Sequence, residues 1–236
     1  MAKDQFGFGV EQDKTDANFF TRLLHSQVAG TAIFGGQAAL AYPIFSDVRR
    51  PEYSSTVKEL EKIARKMGVN VTSLDVSKNP FESLINPLKG SYYNPANKEI
   101  QIAQRGKNMN PGILSHELGH AKQNRKSLLT KASKFGRYSQ AMNLPLMLTD
   151  DEDTAKLFAG AGSAIAAPQF IHEMDASVKG RKLLLDAAKK SGNKLGFIRS
   201  LGSFKGLPTY ALSLIAPFLM YKYLKYQDQY KKSKEN

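Results

Sequence analysis

Two of the four histidines in the 236-residue chain, His116 and His120, lie four positions apart, and Glu117 directly follows the first. Residues four apart lie on one face of an α-helix, so both imidazoles can bind the same metal ion. Glu117 then lies beside that ion, where its carboxylate can take a proton from a bound water. This His-Glu-x-x-His spacing predicts a catalytic zinc site, which still needs a third protein ligand and one open position.

The flanking sequence predicts the helix that carries these residues. Asn110 and Pro111 fit the N-cap and the first position of a helix, and Leu114 and Leu118 supply an apolar side. Gly119 in a helix interior costs roughly 1 kcal/mol relative to alanine. That cost indicates that another element packs closely against Gly119.

The candidates for the third ligand are His25, His172 and a carboxylate downstream of this helix. Glu173 is the strongest of them, because it lies about fifty residues after the second histidine, at the end of an apolar segment. Ala176, one turn later, leaves room for a second helix to pass close to Gly119.

Residues near Glu173 could support the metal ligands. Ser177 lies at i+4 from Glu173 on the same helical face, where it could hydrogen-bond one of the zinc histidines. Asp175, at i+2, points elsewhere on an ideal helix, and we expect it to bind Arg181 or the backbone.

The group that would stabilise an oxyanion or bind substrate cannot be read from the spacing. Four residues are candidates for this role: His172, Arg181, Tyr92 and Tyr93.

Composition narrows the class of protein. The chain contains no cysteine, which excludes disulfides and cysteine metal sites. Its net charge of +13 would suit nucleic acid, an anionic membrane surface or an acidic partner. The lysines are spread along the chain without a recognition motif, so we expect no nucleic-acid partner. Residues 1–27 contain no early apolar run, so we expect no cleavable signal peptide.

Three uncharged apolar runs occupy residues 28–45, 157–171 and 207–221. The first is borderline for spanning a bilayer, which requires about 20 mostly apolar residues. Lysines and aromatic residues at the edge of the last run suit a membrane interface. We therefore expect helices that flank or pack on the core and that touch or enter a membrane. The basic stretch between Arg49 and Arg137 favours a cytoplasmic catalytic side.

The rest of the chain predicts one amphipathic helix and a small sheet. The helix runs from residue 51 to about 68 and ends at a glycine. A short strand lies within 69–76, and residues 90–103 form a β-hairpin around an Asn-Pro-Ala-Asn turn. In zinc peptidases such an edge commonly binds a peptide substrate, although an ordinary structural hairpin is the alternative. The acidic cluster at 150–153 indicates a solvated turn and helix N-terminus.

These motifs resemble those of the bacterial neutral zinc metallopeptidases, a membrane-associated family. Its His-Glu-x-Gly-His-Ala-x-Gln helix and downstream Glu-x-Asp-Ala-Ser segment match residues 116–123 and 173–177. The hairpin that precedes the helix also looks like the family's upstream segment, and the resemblance covers roughly residues 90–180. It implies zinc bound by the two histidines and Glu173, with Glu117 as the general base.

The sequence therefore predicts a mainly α (α+β) protein with a small β-hairpin or sheet, as one zincin-like domain over residues 1–236. The predicted function is that of a zinc metallopeptidase that hydrolyses peptide or protein substrates through a zinc-activated water. The alternative is a structural or assembly protein, for instance in a virion or envelope complex, that keeps a zincin fold without general proteolysis. The oligomeric state is not predicted.

Overall fold

The computed structural model describes residues 53–75, 91–104, 109–124, 126–149, 151–196, 200–204 and 207–235. These residues form six α-helices and one three-stranded sheet, so the described part of the chain is mainly helical. The predicted mainly α class is thereby confirmed. The apolar run at 28–45 and the candidate ligand His25 lie outside the described residues.

Helix α1 (Ser54–Lys66) is amphipathic, as its apolar spacing predicted. Val57, Leu60 and Ala64 are buried along one side of the helix. The segment ends at Gly68, whose φ of +67° lies in the left-handed region that glycine adopts without strain. The predicted helix and its glycine end are therefore both present.

Strands β1 (Asn70–Asp75), β2 (Tyr92–Asn94) and β3 (Glu99–Gln104) form one sheet in the order β1-β3-β2. Strand β3 runs parallel to β1 and antiparallel to β2. The β2–β3 pair is the predicted hairpin. In its turn, the Asn94 side-chain oxygen accepts a hydrogen bond from the Ala96 backbone N–H at 3.0 Å.

Helix α2 (Pro111–Ala121) carries the His-Glu-x-x-His residues. The side-chain oxygen of Asn110 accepts from the backbone N–H groups of Gly112 and Ile113, at 2.9 and 3.2 Å. These N–H groups have no partner inside the helix, so the Asn110 cap stabilises its predicted start.

One apolar core joins the sheet to the helices. Ile100 and Ile102 from β3 pack in the same cluster as Leu60 from α1 and Leu114 and Leu118 from α2. All five are fully buried, and each such side chain contributes about 1.5–3 kcal/mol. The two leucines of α2 are each two positions from a histidine, which puts them on roughly the opposite side of the helix. The core therefore holds α2 with its histidines turned away from it.

The remaining elements of the described chain are helical: α3 (Leu128–Ser133), a 3-10 helix (Gly136–Met142), α4 (Asn143–Leu148), α5 (Glu152–Lys190), a second 3-10 helix (Leu201–Phe204) and α6 (Leu207–Glu235). The apolar runs at 157–171 and 207–221 lie in α5 and α6, so both are helices as predicted. Among the described helices, none combines the length and the apolarity needed to cross a membrane.

Helices α2 and α5 approach each other at two glycines. A Cβ atom on Gly119 would overlap the backbone carbonyl oxygen of Ala176. A Cβ atom on Gly180 would lie 2.5 Å from the carbonyl oxygen of Ser115. Because the obstacles are backbone atoms, neither side can move aside easily. The predicted close packing at Gly119, with Ala176 opposite, is therefore confirmed.

The chain divides into two compact units. Of the described residues, we call those within 135–167 and 212–235 the helical unit, and those within 53–134 and 168–211 the sheet unit. Helices α5 and α6 each contribute to both units. The expectation of a single domain stays a prediction.

In the helical unit, Glu152 joins the start of α5 to α6. The described residues of the acidic cluster, 151–153, lie at the start of a helix, as predicted, with Glu152 as its first residue. Glu152 Oε1 lies 2.7 Å from the Lys225 ammonium, 3.1 Å from that of Lys156 and 3.0 Å from the Tyr221 hydroxyl. Hydrogen bonds from Lys225, Lys156 and Tyr221 lower the pKa of Glu152 from 4.5 to about 2.

Gly119→Ala should destabilise the protein by about 1–3 kcal/mol or more, because the added methyl group has no space against the α5 backbone. Gly160→Ala is the matched control, since a Cβ atom there meets nothing within 4 Å and alanine favours a helix. Denaturant unfolding of both variants measures the difference. Equal stabilities of the two variants would show that α2 and α5 do not pack this closely.

Glu152→Gln should lower the melting temperature at pH 7, because glutamine cannot form the ion pairs with Lys225 and Lys156. A depressed pKa means that the carboxylate stabilises the fold above pH 4.5 and loses that contribution as the pH falls toward about 2. The difference in melting temperature between wild type and Glu152→Gln should therefore disappear as the pH falls from 4.5 toward about 2. Asp186→Asn is the control, because Asp186 is exposed later in α5 and forms no ion pair with the described residues. A difference in melting temperature that does not change with pH would show that the ionised Glu152 carboxylate does not stabilise the fold.

Candidate metal centre

Three side chains with metal-binding atoms meet in the sheet unit: His116 and His120 from α2, and Glu173 from α5. Glu173 Oε2 lies 3.3 Å from His116 Nε2 and 3.2 Å from His120 Nε2. One ligand atom from each of the three residues lies within 4.8 Å of the others. This group could therefore hold a metal ion.

The donor atoms suit a tetrahedral ion such as zinc. Bonds of about 2.0–2.1 Å to such an ion separate neighbouring ligand atoms by about 3.3–3.4 Å. The two separations from Glu173 Oε2, 3.2 and 3.3 Å, are close to that value. Two imidazole nitrogens and a carboxylate oxygen are also a known donor set of catalytic zinc, which leaves one position for water or substrate. The donor types and the two separations from Glu173 therefore fit a zinc ion.

The Gln123 side chain fixes the protonation of His120. Its amide nitrogen donates to the His172 backbone carbonyl at 2.6 Å and to Asp175 Oδ2 at 3.1 Å. That orientation leaves the amide oxygen, which can only accept, 2.8 Å from His120 Nδ1. His120 Nδ1 therefore carries a proton, and its Nε2, which lies 3.2 Å from Glu173 Oε2, is the nitrogen that can bind a metal in place of the proton between them.

Ser177 fixes the position of the Nδ1 proton of His116 in the same way. Its hydroxyl donates to the backbone carbonyl of Glu173 at 2.8 Å. Because this uses its only proton, the oxygen accepts from His116 Nδ1 at 3.2 Å. His116 Nε2, 3.3 Å from Glu173 Oε2, is thus the ring nitrogen placed to bind a metal ion. Ser177 lies on the face of α5 that its spacing from Glu173 suggested.

Asp175 acts on the site through Gln123. Its Oδ2 accepts from the Gln123 amide and also from the Lys179 ammonium, 2.7 Å away and one turn further along α5. Arg181, one of the partners expected for Asp175, instead donates from Nε to Ser200 Oγ at 3.1 Å. Residue i+4 shares a helical face with Asp175 whereas i+6 does not, so the expected pairing is corrected to Lys179.

The charges of Glu173 and His120 depend on each other. Burial favours a neutral carboxyl, but hydrogen bonds to His116 and His120 hold the pKa of Glu173 well below its usual range, at about 2. Burial also opposes a charged His120, yet the hydrogen bond and negative charge of Glu173 raise its pKa. A metal ion would replace the proton that this pair shares.

Glu117 lies among these groups, and the residue is only 6% exposed. Burial raises the pKa of the Glu117 carboxyl, while the charges of His120 and His116 and a hydrogen bond from the Tyr93 backbone N–H oppose the rise. A carboxyl whose pKa moves toward neutrality is suited to accept and release a proton. Glu117 can therefore exchange a proton with a group held at this centre.

The centre opens into a cleft of about 340 Å³. Such a volume lies at the lower end of the range for ligand-binding clefts. Both the hairpin and the end of α3 contribute to its walls. The lining residues are Ser91, Tyr92, Tyr93, Pro95, His116, Glu117, His120, Gln123, Thr130, Ser133, Lys134, His172, Glu173 and Tyr210.

The structure separates the four candidates for oxyanion stabilisation. Tyr92, Tyr93 and His172 line the cleft, whereas Arg181 is not among its lining residues in the described chain. The His172 ring stacks on that of His120 with centroids 5.3 Å apart. Its Nε2 atom is buried and has no hydrogen-bond partner among the described residues. Burial, and then the charge of His120, lower the pKa of His172.

Gln123, Lys134 and Tyr210 lie at the cleft without having been assigned a role from the sequence. Tyr210 is near the start of α6, and its hydroxyl hydrogen-bonds the Glu173 carboxylate; burial and the nearby carboxylates raise its pKa. The available signals were a tyrosine within the uncharged run at 207–221 and a glutamine three residues after His120. Neither signal shows which distant residue of the chain the tyrosine or the glutamine would contact.

Gln123→Met should weaken zinc binding by roughly 10- to 100-fold, because His120 Nδ1 loses the acceptor that fixes its tautomer. Competition with a chromogenic chelator measures the affinity. Lys182→Met, at an exposed position of α5, is the control and should leave the affinity unchanged. Wild-type affinity in Gln123→Met would show that the amide does not orient the ligand.

Comparison of the chain with protein-family models, curated proteins and solved structures found no match. The capacity for a metal ion rests on the geometry of His116, His120 and Glu173 alone. The resemblance to the neutral zinc metallopeptidases rests on the motifs at 116–123 and 173–177, and it stays a prediction.

Proposed function

We propose that this protein is a zinc metallopeptidase of zincin-like architecture. The main support is the meeting of two histidines and Glu173 beside buried Glu117, in a cleft that opens to solvent. Structural zinc sites usually have four protein ligands, whereas catalytic sites have three and an open position. Three ligands with a carboxylate at hand therefore favour catalysis over a structural role.

The chain's own residues would hold and orient the metal. His116, His120 and Glu173 are the ligands, and Ser177 and Gln123 keep both imidazoles in the tautomer that presents Nε2. Zinc bound there would polarise the carbonyl group of the substrate and lower the pKa of a water molecule.

Glu117 is the general base of this proposal. Its carboxylate takes a proton from the attacking water and passes it to the amine that leaves when the C–N bond breaks. The Tyr93 backbone N–H holds the carboxylate in place. Its burial limits access of bulk water, which strengthens its electrostatic interaction with the reacting groups.

Strand β2 supports a peptide as the substrate. Tyr92 and Tyr93 of β2 line the cleft, and within the described sheet β2 pairs only with β3. An extended peptide can add to such an edge through backbone groups other than the Tyr93 N–H, which already donates to Glu117. The edge lies next to Glu117, so a peptide bound along it would pass the proposed base.

The purified protein should contain about one zinc ion per chain, and His116→Ala and Glu173→Ala should lose it. Glu117→Gln should keep the zinc but cleave casein or a peptide library at a rate lower by roughly 10²- to 10⁴-fold, because the amide cannot take the proton. Metal analysis and a cleavage assay measure these two outcomes.

Removal of zinc with a chelator should stop cleavage by the wild type, and added zinc should restore it. Zinc content without cleavage of any peptide would support the structural alternative instead. Absence of zinc, or full cleavage by Glu117→Gln, would contradict the proposal.

A further inference from the structure

The chain segment that follows the metal helix is basic and contains no acidic residue. Between Glu117 and Asp150 the sequence has no aspartate or glutamate, but it contains six lysines and arginines: Lys122, Arg125, Lys126, Lys131, Lys134 and Arg137. Helix α3 belongs to this segment, and residues from its end line the cleft. One side of the cleft is therefore built from a positively charged part of the chain.

Lys134 is the member of this group that lines the cleft, directly after the last residue of α3. The residue is exposed, and in the part of the chain that the structure describes it forms no ion pair. The neighbouring hydroxyls of Ser133 and Thr130 donate to backbone carbonyls at 3.0 and 2.9 Å, and within the described residues neither is bonded to Lys134. Its ammonium group is therefore available to a ligand.

The rest of the cleft does not supply a counter-charge. Its two carboxylates are engaged elsewhere: Glu173 by His116 and His120, and Glu117 by the Tyr93 backbone. The lining residues on the hairpin side include no aspartate or glutamate. An ammonium in such a cleft attracts an anionic group of whatever occupies it.

We propose that Lys134 selects peptide substrates that carry a carboxylate group on the α3 side of the cleft. This inference rests on the proposed peptidase function and specifies its substrate class. The carboxylate is either an aspartate or glutamate side chain or the free C-terminus of the peptide, and both offer the same acceptor to an ammonium group. Lys134 is then a determinant of specificity and takes no part in the proton transfer.

Binding to the zinc-loaded full-length Glu117→Gln protein tests this directly, because no turnover is needed. The probes are fluorescent peptides that differ only by aspartate or asparagine at successive positions. Each peptide is made with a free or an amidated C-terminus, which separates the two sources of the carboxylate. The same measurements are repeated with Glu117→Gln proteins that also carry Lys134→Met or Lys134→Glu. A Glu117→Gln protein that carries Lys131→Met is the matched control on α3.

At least one carboxylate peptide should bind roughly three- to tenfold more tightly than its neutral counterpart, as expected for a solvent-accessible ion pair. The ratio of these two affinities should fall to about one in Lys134→Met. It should invert in Lys134→Glu and persist in Lys131→Met. It should also shrink as salt is added.

Equal or undetectable binding of all the peptides, or a preference that survives Lys134→Met, would overturn the inference. Failure of the proposed function appears separately, as a lack of cleavage of every peptide by the zinc-loaded wild type. If the preference depends on Lys134 but no peptide is cleaved, the inferred ligand class stands and the proposed peptidase function is wrong.

Discussion

The candidate metal centre depends on the contact between two helix backbones. Gly119 of α2 and Gly180 of α5 allow those backbones to approach so closely that a methyl group at either position would collide with a carbonyl oxygen. Glu173 lies less than two turns before Gly180, so the contact brings its carboxylate within 3.2–3.3 Å of both histidine nitrogens. A separation larger by the width of one side chain would leave the two histidines without their third partner.

Proximity alone does not make two histidines into metal ligands, because each ring must present a nitrogen without a proton. The hydrogen bonds of Gln123 and Ser177 make Nε2 that nitrogen, since each side chain gives its own protons to other acceptors and holds a proton on Nδ1 with its remaining lone pairs. A metal ion then has only to displace the proton shared with Glu173. All three partners of the Gln123 and Ser177 protons belong to residues 172–175 of α5. The helix that supplies the third ligand therefore also orders the first two, and loss of the α2–α5 contact would disturb both functions together.

The sequence predicted what depends on local spacing and left open what depends on the tertiary fold. The i, i+4 histidines, the Asn110 cap, the Gly68 helix end and the hairpin follow from periods and turn chemistry that act within a few residues. The choice of Glu173 over His25 or His172 depends on which helices contact each other. Only Gly119, a glycine inside a helix, indicated such a contact from the sequence. Tyr210 and Lys134 had no comparable signal, because nothing local shows that α6 and the end of α3 line the same cleft.

The distribution of charge separates a chemical part of the cleft from a recognition part. Glu117 and Glu173 are buried, where desolvation and nearby histidines alter their pKa values and where each interaction is strong because little water screens it. Lys134 is exposed, where an ion pair is weak and easily exchanged. A group that must bind and release successive substrates benefits from weak interactions, whereas a base must keep its place through each reaction. A purely structural metal site would require neither a buried carboxylate without a metal-ligand role nor an open cleft beside it, so both features favour an enzyme.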